Sequence, residues 1–336
     1  MMRKVAVIGA GSWGTALALL LARKDLEVVL WGRDAALMAR MNNSRENEKY
    51  LPGHCFSSGL LATADLDTAL AGADCLLMVV PSHGFRQVYR RLAPLLKEGI
   101  PVVSAVKGIE NSSTRTMTQV MQEESTVKKH FFCVLSGPSF AEEVAQGYPT
   151  AVTVACADIA VAGVVQQLFS SSLFRVYSSS DVIGLEISGA MKNVIAIASG
   201  ICDGLGYGLN ARAALITRGL AEITRLGMAL GADPRTFAGL AGLGDLVLTC
   251  TGNLSRNRTV GLKLGAGKSL EQALAEMTMV AEGVKTTLSC FHLAQTTGVE
   301  MPILEQTHAV LYQNKPCKDA VSDLFQRDLK EENFSL

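Results

Sequence analysis

Lys4-Val-Ala-Val-Ile-Gly-Ala-Gly-Ser-Trp-Gly14 is the stretch on which the fold of this chain turns. Val5 to Ile8 run as a buried-type strand into Gly9, Gly11 and Gly14, and an apolar helix follows at once, over Thr15–Lys24. A G-x-G-x-x-G string carries little weight alone. Set between a strand and a helix, it describes a phosphate-binding turn. The first glycine permits a tight turn, the second lets backbone approach a pyrophosphate, and the third lets helix and strand pack closely. The helix N-terminus then faces the anion with its partial positive charge. These residues predict dinucleotide binding.

Glu27-Val-Val-Leu-Trp31 reads as the second strand. Its end lies about 20 residues past the glycines, where an acidic side chain would hold the ribose hydroxyls of NAD. Here the strand runs into Gly32-Arg33-Asp34 instead. A guanidinium at the first free position suits a 2′-phosphate. Arg33 therefore points to NADPH, while Asp34 leaves NADH usable.

The 336 residues are enough for two domains with separate cores. With 31 basic and 31 acidic residues there is no global field to attract nucleic acid or an acidic membrane. The eight cysteines lie singly without a C-x-x-C pair, and the five histidines do not cluster. That pattern favours reduced thiols and no metal site. Met1-Met-Arg-Lys4, followed by apolar residues to Ala22, resembles a secretory signal in composition. Gly9, Gly11, Ser12 and Gly14 interrupt it, and cleavage would remove the first strand. No run reaches the ~18 uninterrupted apolar residues of a membrane span. A soluble, cytoplasmic protein is expected, without membrane insertion.

Cys75-Leu-Leu-Met-Val-Val80 is a continuous apolar run stopping at Pro81, as in a central parallel strand. Further strands are expected over 101–106, 131–135 and 151–156, with helices over 84–97 and 112–124. This predicts an α/β fold with an N-terminal, Rossmann-type doubly wound sheet, a dinucleotide-binding domain over 1–180. From Asp181 the strand signals stop. Helical patterns occupy 184–199, 211–230, 234–240, 270–276, 281–297 and 303–313, predicting an all-helical substrate and catalytic domain over 181–336. A cleft between the domains is the default active site.

Lys192 is the candidate catalytic group. Ile187, Met191, Val194 and Ala198 form a core-facing stripe at helical spacing, and Lys192 projects away from it among small neighbours. A lysine on a polar face is commonly a surface residue, so pattern alone leaves both readings open. Asp245 follows a glycine at a loop-to-helix junction. Ser255-Arg-Asn-Arg258 then packs two guanidiniums, a hydroxyl and an amide into four positions, a set that suits a phosphate oxyanion. The same four residues also read as an exposed basic turn.

Together these stretches resemble the bacterial NAD(P)-dependent glycerol-3-phosphate dehydrogenases. The resemblance is carried by Gly-Ala-Gly-Ser-Trp-Gly-Thr-Ala-Leu-Ala at 9–18, Val-Pro-Ser-His at 80–83, Lys107-Gly108 and Ser136-Gly-Pro-Ser-Phe-Ala141. Met191-Lys-Asn-Val194, Gly208-Leu-Asn-Ala-Arg-Ala213 and Leu215-Ile-Thr-Arg-Gly219 continue it. Gly242-Leu-Gly-Asp-Leu-Val-Leu-Thr-Cys-Thr251 and Ser255-Arg-Asn-Arg258 complete it, in order over almost the whole chain. It implies Lys192 as proton donor and acceptor, with Lys107, Gly137, Ser139, Asp245, Ser255, Arg256 and Asn257 around the substrate. It implies cofactor contacts from Ser12, Trp13, Arg33, Lys107, Ala141, Arg256, Val280 and Glu282. Ser139 stands where threonine is common, which keeps a hydroxyl.

The implied reaction is hydride exchange between NADPH or NADH and C2 of a three-carbon phosphate. Dihydroxyacetone phosphate becomes sn-glycerol 3-phosphate, a precursor for phospholipids. Oligomeric state stays open, a homodimer included. Two rival readings fit these residues less well. A hydroxy-acid dehydrogenase of the same architecture has no use for the Ser255–Arg258 cluster, and a dinucleotide sensor has none for Lys192, Asp245 and Arg256 together.

Overall fold

The computed structural model describes residues 2–125, 130–277, 281–329 and 331–332. It divides into two compact units, one of Met1–Lys107 with Arg115–Leu185, the other of Gly108–Thr114 with Glu186–Leu336.

Among the described residues the first unit holds ten strands. β1 is Lys4–Ile8, β2 Glu27–Trp31, β3 Glu46–Asn47, β4 Leu51–Cys55 and β5 Leu60–Thr63. β6 is Cys75–Met78, β7 Pro101–Ser104, β8 Phe131–Ser136, β9 Thr150–Cys156 and β10 Phe174–Ser179. Eight of them form one sheet in the order β10-β9-β8-β7-β6-β1-β2-β5, and β3 pairs with β4 as a separate hairpin. β1 lies parallel between β2 and β6, at the point where the strand order reverses. This is where a doubly wound sheet opens its ligand crevice.

Helices α1 (Ser12–Ala22), α2 (Ala35–Ser44), α3 (Leu66–Leu70) and α4 (Ser82–Leu92) alternate with these strands. So do α5 (Met117–Glu124), α6 (Ala141–Gln146) and α7 (Ile159–Phe169). Alternate residues of β1 feed opposite faces of the sheet. Val5 and Val7 join the core cluster that includes α1, α2 and α7, while Ala6 and Ile8 join the one built with α4 and α5. Burial on both faces explains the continuous apolar runs in β1 and β6.

The direction of the last two strands goes beyond the sequence reading, and one expected helix is shorter than that reading has it. β9 runs antiparallel to β8, and β10 follows β9, so the last two strands reverse. The link from β8 to β9 contains only α6, six residues long. Such a helix spans about 9 Å, too little to return the chain along a strand of about 20 Å. Residues 112–116 are not helical either. Thr116 caps α5 in a reciprocal box with Gln119, so the helix starts at Met117.

The second unit is helical among its described residues. α8 is Val182–Gly204, which begins just before the unit boundary, and α9 is Leu209–Ala229. α10 is Pro234–Phe237, α11 Asp245–Thr251, α12 Arg256–Gly265 and α13 Leu270–Ala275. α14 is Glu282–Thr297, α15 Pro302–Tyr312 and α16 Cys317–Phe325. A π turn, Leu240–Gly244, runs directly into α11. Helix α8 is long and apolar enough on average to cross a bilayer, but 89% of its apolar window is buried inside the protein. It is a core helix.

α8 and α12 touch backbone to backbone. A Cβ on Gly200 would lie 2.0 Å from Arg258 O, and one on Gly261 would lie 2.0 Å from Ile197 O. Gly204 and Gly265, one turn further along, are equally crowded. Four absent side chains therefore set the separation of these helices.

Candidate active site

The three glycines of the N-terminal turn answer different demands. Gly9 has φ +125°, and a Cβ there would sit 2.6 Å from Val79 O, beyond the end of β6. A Cβ on Gly14 would lie 1.8 Å from Gly9 O. Those two are required by the turn and by packing. Gly11 has an ordinary φ of −79°, and a Cβ there would meet nothing within 4 Å. The fold itself does not ask for glycine at 11. An open cradle at the N-terminus of α1 does fit a pyrophosphate, which needs close access to backbone N–H groups.

Other predicted cofactor residues surround this turn. Ser12 opens α1 and donates its hydroxyl to Tyr50 O at 2.6 Å. Trp13 is half-buried and packs against the core. Arg33 is exposed beyond β2 and makes no hydrogen bond or ion pair among the described residues. Asp34 is committed locally, its carboxylate accepting from Leu37 N at 3.0 Å as the N-cap of α2. Val280 lies outside the described residues.

Three predicted substrate residues meet in the first unit. Gly137, at φ +146°, would push a Cβ to 2.8 Å from Val152 Cα. Its carbonyl accepts from Lys107 Nζ at 3.0 Å and from Ser139 Oγ at 2.9 Å. Ala141 is the first residue of α6.

In the second unit Lys192 is buried, 6% exposed. Its Nζ donates to Asp245 Oδ1 at 2.5 Å and to Thr249 Oγ1 at 2.9 Å. The Thr249 hydroxyl donates in turn to Asp245 O at 2.6 Å. Asp245 and Thr249 stand four apart on α11, hence on one face. The surface reading of Lys192 fails because every residue of α8 from Gly184 to Cys202 is buried, so the helix offers the lysine no solvent-exposed face. Breaking a buried pair of this kind leaves an uncompensated charge, at a cost of about 3–5 kcal/mol.

A second network adjoins it. Ser255 caps α12, accepting from Arg258 N at 3.2 Å. Asn257 Nδ2 donates to Asn193 Oδ1 at 2.9 Å, and Asn257 Oδ1 accepts from Gly283 N at 2.9 Å. Asn193 and Gly283 are the chain neighbours of Lys192 and Glu282, so one amide ties together α8, α12 and α14. Arg256 has an exposed side chain, yet crowding protein atoms lower its pKa, opposed by the charge of Glu282.

The sequence cluster at 255–258 needs one correction. Arg258 is not a second anion donor, because it pairs with Asp203 at 2.7 Å, a carboxylate 7% exposed. Thr249 joins the site beyond the residues expected from sequence, and its four-residue spacing from Asp245 is the signal that points to it.

A glycine turn at the switch point of a doubly wound sheet, with a buried lysine–carboxylate pair in the helical unit, defines a dinucleotide-dependent oxidoreductase. Comparison with known proteins narrows the class. Residues 4–162 match the profile of the NAD-dependent glycerol-3-phosphate dehydrogenase N-terminus, and 181–322 match that of its C-terminus. The chain is 58% identical over 333 residues to the glycerol-3-phosphate dehydrogenase (NAD(P)+) of Geobacter metallireducens, covering 99% of each. It is 57% identical over 332 residues to that of Desulfotalea psychrophila, covering 98% of each. The crystal structure of the Coxiella burnetii glycerol-3-phosphate dehydrogenase superposes with a TM-score of 0.93 at 42% identity, covering 97% of this chain and 99% of that one. The chain belongs to the NAD-dependent glycerol-3-phosphate dehydrogenase family.

Proposed function

We propose that the chain interconverts dihydroxyacetone phosphate and sn-glycerol 3-phosphate, with NADPH preferred over NADH and Lys192 as general acid and base. The buried Lys192–Asp245–Thr249 cluster carries this reading, since a core helix has no structural need for an ammonium. The nicotinamide, when bound, supplies the hydride exchanged at C2 of the substrate. Negative charge grows on the C2 oxygen during reduction. The Lys192 ammonium stabilises it and donates a proton, and in the reverse direction the amine takes that proton back. Asp245 and Thr249 orient the lysine.

Arg256 receives the substrate phosphate with Ser255 and Asn257, using the paired donors a guanidinium presents. Lys107, Gly137 and Ser139 complete the substrate site. Gly9, Gly11, Gly14, Ser12 and Trp13 hold the dinucleotide, with Arg33 on its 2′-phosphate and Lys107, Ala141, Arg256 and Glu282 as further contacts. In this reading residues 1–180 form the dinucleotide-binding domain and 181–336 the substrate and catalytic domain. The reaction runs in the cytoplasm and supplies glycerol phosphate for phospholipid synthesis.

The test is oxidation of NADPH and of NADH by dihydroxyacetone phosphate, with Lys192→Ala beside the wild type. Turnover should fall roughly 10²–10⁴-fold in the variant, while NADPH binding, read by fluorescence, persists. Undiminished turnover would sink the assignment of Lys192.

A further inference from the structure

The β3–β4 hairpin lies outside the main sheet, yet one of its side chains reaches the glycine turn. Asn47 is fully buried, 0% exposed. Its Nδ2 donates to Ala10 O at 3.0 Å and to Thr15 Oγ1 at 2.8 Å, which occupies both amide protons. Its Oδ1 accepts from Tyr50 N at 3.3 Å. Ala10 stands between Gly9 and Gly11, and Thr15 begins the body of α1. A buried carboxamide is costly unless its bonds are made. An apolar side chain would serve if the hairpin only had to pack here.

Peptide planarity gives the contact its meaning. The Ala10 carbonyl and the Gly11 N–H belong to one trans peptide unit and point in opposite directions. A donor fixed on Ala10 O therefore fixes the direction of the Gly11 N–H, at the one glycine of the turn that packing leaves open.

We propose that Asn47 is a positioning residue for the cofactor, holding the Ala10–Gly11 peptide in the orientation that receives the dinucleotide's pyrophosphate. This rests on the reading that the Gly9–Gly14 turn binds that pyrophosphate. Asn47 touches no substrate and acts through the backbone of the turn. Removing its amide frees the peptide to rotate and should weaken dinucleotide binding while the chemistry of the bound complex is retained.

The experiment compares Asn47→Ala, Thr15→Val and Gly11→Ala in the full-length protein. Dissociation constants are measured for NADPH and for adenosine 2′-phosphate, which carries the adenine end but no 5′-phosphate. Kinetic constants and thermal midpoints accompany them. Asn47→Ala should raise the KM for NADPH about tenfold with kcat within about twofold, and leave adenosine 2′-phosphate binding unchanged. Thr15→Val, which removes one of the two acceptors, should move the same way by less and decides the matter if Asn47→Ala does not fold. Gly11→Ala adds a methyl that the fold accommodates, so it should weaken NADPH binding without lowering the thermal midpoint.

If Gly11→Ala weakens NADPH binding and the other two variants do not, the role of Asn47 is overturned and the turn's role stands. Equal losses of NADPH binding, adenosine 2′-phosphate binding and thermal stability would reduce Asn47 to a structural brace and also overturn it. An unaffected Gly11→Ala would overturn the pyrophosphate reading, and the proposal with it.

Discussion

Arg33 and Asp34 are adjacent and opposite in charge, and the structure separates what they do. Asp34 spends its carboxylate on the first turn of α2, while Arg33 extends from the end of β2 without a partner among the described residues. One charge-assisted contact to a phosphate is worth about 1.5–3 kcal/mol. Arg33→Ala should therefore raise the KM for NADPH roughly tenfold or more and leave that for NADH within about twofold. Steady-state kinetics with both cofactors checks this, and an equal effect on the two would remove Arg33 from the 2′-phosphate. Residue roles were unevenly legible. Gly9, Gly11 and Gly14 declare themselves because their chemistry is local, a turn between strand and helix. Burial of Lys192 could not be read, because its partners lie 53 and 57 residues away and a long-range pair leaves no periodic trace. Asn47 was silent for the same reason.

Among the elements, the pair α8–α12 is the most tightly specified. Lys192 and Asn193 ride on one helix, Ser255 caps the other, and Arg256 and Asn257 open it. No side chain buffers the gap between them near Gly200 and Gly261. Gly261→Ala should destabilise the protein by about 1–3 kcal/mol through overpacking, seen as a lower denaturant midpoint. The helices must part to admit the methyl, so kcat should fall as well. A fully active, fully stable Gly261→Ala would show that the helices can slide without consequence. The main strands and long helices were legible because buried strands and core helices carry continuous or periodic apolar signals. The edge strand β10 was not: Phe174-Arg-Val-Tyr-Ser-Ser alternates buried and exposed over only its first four residues, with serines on either side of that short run. Strand direction was also beyond sequence pattern, since it depends on the reach of the connection after β8.

For the molecule as a whole, Glu222 is a buried source of pH sensitivity. This side chain is 2% exposed and accepts from Ile303 N and Leu304 N at the start of α15. Burial raises its pKa from 4.5 to about 7, against the pull of those two amides. A carboxyl with a raised folded value binds its proton more tightly in the native state than in the unfolded one. Its contribution is therefore complete below the unfolded value and lost as pH rises through about 7. Between about pH 5 and pH 8 the loss should be about 2 kcal/mol. Glu222→Gln should flatten that part of the stability profile measured by denaturant titration. An unchanged slope would place the pH dependence elsewhere.

The π turn at Leu240–Gly244 adds a consequence at this scale. A helix advances about 100° per residue, and a π turn carries one residue more per bonded ring than an α-helix. Asp245 follows directly on that surplus residue, so its bearing toward Lys192 is a matter of phase. The loss of one codon from 240–244 would keep every catalytic side chain in the protein and still swing the carboxylate about a quarter turn out of register. In this region the number of residues matters to the site as much as their identity.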